Sequence, residues 1–294
     1  MAHPVTAPTG LRALIAAPHP DEAPLPPAAH LDAGVRLLRG VSYADVPGAR
    51  PLELDLWLPG HDPGRPPVPL VLFVHGGAWR RGRREDMGYR MRSWEPGPFA
   101  RIAAAGLAVA SVDYRLSGEA LFPAPLDDLR AALRWLALRA PELGTDIDRT
   151  TVWGESAGGH LAALLALSEG ASRLRGAVAW YAPSDLSRQA EAADTPEALL
   201  LGAAPAEVPR LARQASPVAQ VRPGAPPFLL VHGEDDSMVD CDHSRALAAR
   251  LGEAGVPVDL WTVPGADHVW HGLPEAQVED LFGRTLHWIR QATR

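Results

Sequence analysis

The hydrophobic pattern becomes regular at residue 35. Val35 to Val46 and Leu52 to Leu58 alternate apolar and polar side chains on either side of a Pro-Gly stretch, which predicts an antiparallel strand pair with one buried face. From residue 70 the pattern changes to short, uninterrupted apolar runs at Leu70 to Val74, Leu107 to Val112, Thr151 to Trp153, Ala177 to Tyr181, Phe228 to Val231 and Val258 to Val263. A strand with no polar face has to be covered on both sides, which is the condition of a parallel sheet. Between these runs, Leu126 to Ala140, Ser244 to Leu251 and Val278 to Ile289 repeat apolar residues at helical spacing, and a further helical pattern covers Leu161 to Leu167. The alternation predicts an α/β fold, a mostly parallel doubly wound sheet of about eight strands with helices on both faces.

Two stretches break the alternation. Residues 1–33 are rich in Pro and Ala and are expected to form a weakly ordered arm, or one lying over the mouth of a site. The segment from Ala182 to Pro227 is too long for a simple crossover. It reads as a small helical cap around 182–226, with short helices near Glu197 to Leu201 and Val208 to Arg213. Residues 34–294 are otherwise expected to be one domain.

Composition narrows the classes. A net charge of -7 and scattered arginines leave no basic face for phosphate backbones, so nucleic acid is not an expected partner. A lone Cys241 cannot close an internal disulfide. No apolar run is long enough to span a membrane, and Pro4 and Pro8 interrupt the weakly charged start, which makes a poor signal peptide. A cytoplasmic location is expected, with a homodimer allowed.

The chemistry gathers at the ends of the predicted strands. Gly154-Glu155-Ser156-Ala157-Gly158-Gly159 lies directly after one strand and directly before one helix, the context of a nucleophile elbow. Ser156 then sits on a sharp turn whose neighbours must be small, and the helix aims its first amides where negative charge would develop. A serine needs a base, and the base an orienting acid. The strand ending in His232-Gly233 runs into Glu234-Asp235-Asp236, so Asp236 is the preferred acid, with Asp235 and Asp240 as rivals. The strand after that ends in Gly265-Ala266-Asp267-His268, which places His268 as base, with His271 as competitor. Upstream, a strand runs into His75-Gly76-Gly77-Ala78-Trp79; Gly76 and Gly77, with the Ala157 amide, are the expected oxyanion donors. His75 is expected to be structural. Trp79, Tyr181 and Trp270 flank these loops as candidate substrate-binding residues, with Asp185 a weaker one. No metal-ligand spacing and no phosphate-binding glycine fingerprint is present, so no cofactor is expected.

These motifs, with Ala215-Ser216-Pro217-Val218 and Pro226-Pro227-Phe228-Leu229-Leu230-Val231-His232-Gly233, resemble the α/β-hydrolase superfamily. The chain is similar to its bacterial acetyl- and feruloyl-esterase-like group, related to hormone-sensitive-lipase-like esterases and kynurenine formamidases. The resemblance covers roughly residues 35–292 and implies that the acid is the aspartate four residues after the histidine of His-Gly, which is Asp236. It implies a serine hydrolase that cleaves small-molecule carboxylic esters through an acyl-enzyme without a cofactor. Amide hydrolysis, as in a formamidase, and a non-catalytic hydrolase-fold binding protein are the alternatives. The chain departs from the group's pattern at Asp240, where proline is common, and at Asp267, where a small residue is frequent.

Overall fold

A computed structural model describes residues 18–60, 64, 66–169, 173–188 and 191–294. Among the described residues nine strands form one sheet: β1 (Ala29–His30), β2 (Arg36–Ala44), β3 (Leu52–Leu58), β4 (Val68–Val74), β5 (Ala108–Val112), β6 (Thr145–Glu155), β7 (Leu174–Trp180), β8 (Phe228–Gly233) and β9 (Val258–Val263). They lie in the order β1-β2-β3-β5-β4-β6-β7-β8-β9. Pairing is antiparallel from β1 to β5 and parallel from there on. The count is nine because β1, only two residues long, is too short to carry a periodicity.

The continuous apolar runs are buried on both faces. Along β4, Leu70, Leu72 and Val74 belong to one core cluster, and Val71 and Phe73 to the other. The helices α2 (Ala124–Leu143), α3 (Ala157–Leu167) and α7 (Asp242–Glu253) contribute to the first cluster. α1 (Pro98–Ala104) and α8 (Glu275–Ala292) contribute to the second. The sequence pattern did not signal α1, a helix of seven residues that buries only Phe99, Ile102 and Ala103.

From β4 the chain turns outward to β5 and then returns across β4 to β6. The connections after β4 and β6 therefore part in opposite directions, leaving a crevice at the carboxyl ends of these two neighbouring strands. Open α/β sheets place their sites at such a switch point.

Among its described residues the segment 182–226 holds three short helices, α4 (Pro196–Leu201), α5 (Pro209–Gln214) and α6 (Pro217–Gln220). The third was not expected, because four residues are too few to show helical spacing. Much of the expected arm, residues 1–17, lies outside the described residues. Residues 18–23 are docked rather than loose: Trp135 donates from Nε1 to the Pro20 carbonyl at 2.9 Å, and Arg139 donates to the carbonyls of Pro20, Asp21 and Ala23 at 3.0 to 3.3 Å. Both side chains lie on the half of α2 that leads to the start of β6. This part of the arm therefore lies away from the strands' carboxyl ends.

Candidate active site

Ser156 follows β6 immediately, at φ 50° and ψ −122°, a conformation that costs an L-residue free energy unless its surroundings impose it. Two contacts impose it. The Ser156 amide donates to the Trp180 carbonyl at 2.9 Å. On the other side the first turn of α3 presses against the end of β4, where a Cβ on Gly158 would come within 2.1 Å of the Val74 carbonyl oxygen. Only glycine allows that approach, and the tight turn leaves the Ser156 side chain partly exposed.

The loop after β9 brings His268 to this serine, with Nε2 3.1 Å from Ser156 Oγ. On its other side, Nδ1 lies 2.7 Å from Asp236 Oδ2. Burial by itself would raise the Asp236 pKa. Hydrogen bonds from His232 and His268, and from the Val239 amide, outweigh it and hold this carboxyl well below the usual carboxylate range. An ionised Asp236 accepts only, so His268 donates from Nδ1 and its Nε2 lone pair receives the serine hydroxyl. The Asp236 turn is closed by its Oδ1, which accepts the Met238 and Val239 amides at 3.0 and 2.8 Å.

The rivals lie elsewhere. Asp235 and Asp240 are exposed, and Asp240 accepts the Asp242 amide at 2.8 Å. His271 is exposed and meets His268 only through its backbone amide.

Two supporting residues were not among the candidates. His232 is fully buried, with Nε2 2.7 Å from the Val239 carbonyl and 3.3 Å from Asp236 Oδ2, and Nδ1 2.7 Å from Ser244 Oγ. Its Nε2–H therefore supports the Asp236 carboxyl from behind. Asp267 accepts the Ser237 amide at 2.7 Å, the Ser237 hydroxyl at 2.9 Å and the His268 amide at 2.6 Å, which ties the acid loop to the base loop. Both stood inside quoted motifs, and Asp267 was already visible as a departure from the group's pattern.

The loop after β4 passes beside the elbow. The amides of Arg80 and Arg81 both donate to the Gly77 carbonyl at 3.1 Å, and a Cβ on Gly77 would meet the Arg81 carbonyl oxygen at 2.1 Å. The Gly77 amide and that of Ala157, the first residue of α3 and so without an acceptor in its own helix, remain as candidate oxyanion donors. Gly76 packs against the elbow, where an added Cβ would come within 3.1 Å of the Glu155 carbonyl oxygen and 3.3 Å of its Oε1. His75 is buried, stacked on Tyr114 with ring centroids 4.5 Å apart.

The three aromatic candidates are buried. Trp79 is 2% exposed and donates to His160 Nδ1 at 3.2 Å, while His160 Nε2 bonds the Ala215 carbonyl at 2.7 Å. Burial holds His160 down to about 4, so it stays neutral. Trp270 is fully buried against Trp180 and Tyr181. Tyr181 is buried with its hydroxyl 2.5 Å from Glu155 Oε2. Adjacency to such a loop in sequence does not tell which way a ring points, and these rings are packed into the core, Trp79 in one cluster and Tyr181 and Trp270 in the other. Asp185 caps its own turn through the Ser187 amide and hydroxyl.

Among the described residues no group of three or more His, Cys, Asp or Glu could hold a metal ion, and no helix is long and apolar enough to cross a membrane.

Relatives agree with this architecture. The chain is 32% identical over 76% of its length to Esterase LipQ of Mycobacterium tuberculosis, and it covers 55% of that protein. It is 33% identical over 76% of its length to Carboxylesterase NlhH of the same organism, covering 74% of it. The chain thus spans little more than half of LipQ. Among solved structures, a truncated carbohydrate esterase from gut microbiota superposes with a TM-score of 0.77 at 24% identity, over 90% of this chain and 99% of that one, so the fold is that of α/β-hydrolases. With residues 54–251 matched by the BD-FAE family model, a span that includes both the elbow and the acid loop, the chain belongs to the BD-FAE family.

Proposed function

We propose that this protein is a serine hydrolase that cleaves carboxylic esters of small acyl groups. The observation that carries this reading is the unbroken line from Ser156 Oγ through the His268 ring to the buried Asp236 carboxylate, at 3.1 and 2.7 Å. Esterase and carboxylesterase relatives support it. Ser156 attacks the ester carbonyl while His268 takes its proton at Nε2. Asp236 holds the ring in the tautomer that makes this transfer productive and stabilises the imidazolium that results. The Gly77 and Ala157 amides receive the oxyanion, and the imidazolium returns its proton to the leaving alkoxide. Water then repeats the cycle on the acyl-enzyme. A fluorophosphonate probe tests the reading directly: labelling of the wild type and none of Ser156→Ala is expected, and an unlabelled wild type would overturn it. A cytoplasmic location agrees with the single, buried Cys241.

Asp267→Ala is expected to lower kcat by on the order of tenfold to a hundredfold with little effect on folding. It frees the base loop from the acid loop, and small displacements of a catalytic group are costly. Steady-state kinetics beside a thermal melt measure this; an unchanged kcat would remove Asp267 from the positioning of the triad.

The acyl side is expected to be short. Among its described residues the cap segment 182–226 offers only three short helices from which to build an apolar wall, and the cavity of about 340 Å³ beside the Asp236 loop mixes Asp185, Arg188, Glu197, Asp240 and His243 with Pro183, Leu186 and Val239. Each methylene contributes about 0.8 kcal/mol only where a dry surface receives it. Acetyl and butyryl nitrophenyl esters should therefore exceed the dodecanoyl ester in kcat/KM by at least about tenfold, and a maximum at dodecanoyl or longer would contradict this.

A further inference from the structure

One buried ionisable group beside the nucleophile takes no part in the chemistry just described. Glu155 precedes Ser156 and is 6% exposed. Its Oε2 accepts the Tyr181 hydroxyl at 2.5 Å. Its carboxyl also packs against Gly76 of the loop after β4, where an added Cβ would come within 3.3 Å of Oε1. Gly88, from the same connection, is packed so closely that a Cβ there would come within 2.7 Å of Oε2. The Tyr181 ring stands edge-on to the His268 ring, with centroids 4.9 Å apart. One carboxyl thus touches three things the reaction needs in register: the elbow that carries the nucleophile, the loop that carries oxyanion donors, and the aromatic wall against which the base rests.

We propose that Glu155 is a positioning residue whose ionised carboxylate, by accepting from Tyr181 and packing against Gly76 and Gly88, fastens the oxyanion loop and the wall behind His268 to the nucleophile elbow. The inference rests on the ester-hydrolase reading above. An ionised carboxylate only accepts, so Tyr181 must donate to it. A protonated carboxyl carries a donor hydrogen on one oxygen, so either the Tyr181 contact is reversed or that hydrogen must be fitted against the packed Gly76 and Gly88.

The surroundings place this switch within a working pH range. Burial pushes Glu155 up to about 7, opposed by the Tyr181 hydrogen bond, with Asp86 pushing the same way as burial and the Gly76 amide and His268 opposing it. Arg92, paired with Asp86, and the buried Tyr114 are the other polar groups that feel its charge. The sign for stability follows. A carboxyl that ionises near 7 when folded but near its ordinary value when unfolded favours the folded state at low pH, and that contribution is lost as pH rises between the two values. The ionised form is therefore kept against the interest of stability, as expected of a group held for function.

The test compares wild type, Glu155→Gln, Tyr181→Phe and the double variant in kcat/KM from pH 5 to 9 with a nitrophenyl acetate, alongside thermal melts. In the wild type the acid limb of log kcat/KM should fall by up to about tenfold more than that of E155Q, because protonating Glu155 disturbs the same contacts that the substitution removes. In E155Q this extra loss should be absent, kcat at pH 8 should drop on the order of tenfold with KM little changed, and the melting temperature at pH 8 should rise. Y181F should lose a similar factor, and the double variant should lose no more than either alone. An E155Q profile that keeps the wild-type shape, or losses that multiply in the double variant, would overturn the proposal. Failure of the underlying reading looks different: the wild type would then be neither active nor labelled by the fluorophosphonate.

Discussion

Replacing Ser156 with alanine is expected to lower kcat by about a million-fold, the loss seen when a triad that acts as a unit is deprived of its nucleophile. The large effect follows from the geometry, since Oγ is the only atom that His268 Nε2 meets at hydrogen-bond distance among the described residues. No other hydroxyl stands ready to replace it. Folding should be almost untouched. The strained turn is held by the Ser156 amide and by the Gly158 contact rather than by the side chain, and alanine meets the same backbone conformation with the same Cβ. The stability change should stay within about 1 kcal/mol. Turnover and a denaturant melt of the same preparation check both halves, and residual activity above about a hundredth of wild type would move the nucleophile elsewhere.

Asp236→Asn is expected to cost about ten-thousand-fold in kcat, with Asp235→Asn close to neutral. The ranking comes from what each carboxyl holds. Asp236 Oδ2 accepts from His268 Nδ1, and an asparagine that turns its amide nitrogen that way forces the proton onto Nε2, where it faces the serine and blocks transfer. Asp235 is exposed and is held in its loop by its backbone amide, which donates to the Ala266 carbonyl. The same substitution should change the stability profile. Because hydrogen bonds depress the pKa of Asp236 in the folded state, its contribution is complete above the ordinary carboxylate range and is lost as pH falls through that range toward the folded value. Asp236→Asn should therefore flatten the acid limb of a melting-temperature curve. Equal activity losses in the two variants, or a larger one in Asp235→Asn, would reassign the acid.

The two predictions draw on different parts of the chain. The elbow was legible as local sequence, because strand, turn and helix are contiguous from Thr145 to Leu167 and their hydrophobic pattern changes period at the serine. Choosing among three aspartates was not a local matter. Asp235, Asp236 and Asp240 all lie in one loop after β8, and what separates them is the approach of His268 from a different strand, 32 residues further along. The resemblance favoured Asp236 through a spacing, whereas the geometry supplies the reason: His232 and His268 converge on that carboxyl alone among the three.

What the amino-acid sequence by itself determined is everything that depends on period and contiguity. Runs without a polar face became strands covered on both sides, and glycines at the serine's flanks became the tight turn, because hydrophobic burial and backbone sterics act over a few residues at a time. Tertiary structure alone decided direction and pairing. Trp79, Tyr181 and Trp270 stand beside catalytic loops in sequence, yet their rings turn inward and are buried. Gly76 was read as part of a glycine turn, yet it packs against the carboxyl of Glu155. Residues 18–23 had the composition of a loose arm, yet their free carbonyls found Trp135 and Arg139 on α2. In each case the partner comes from a distant part of the chain, and a buried polar group takes whichever partner the packed fold brings within reach, because leaving it unmade costs about 1–3 kcal/mol.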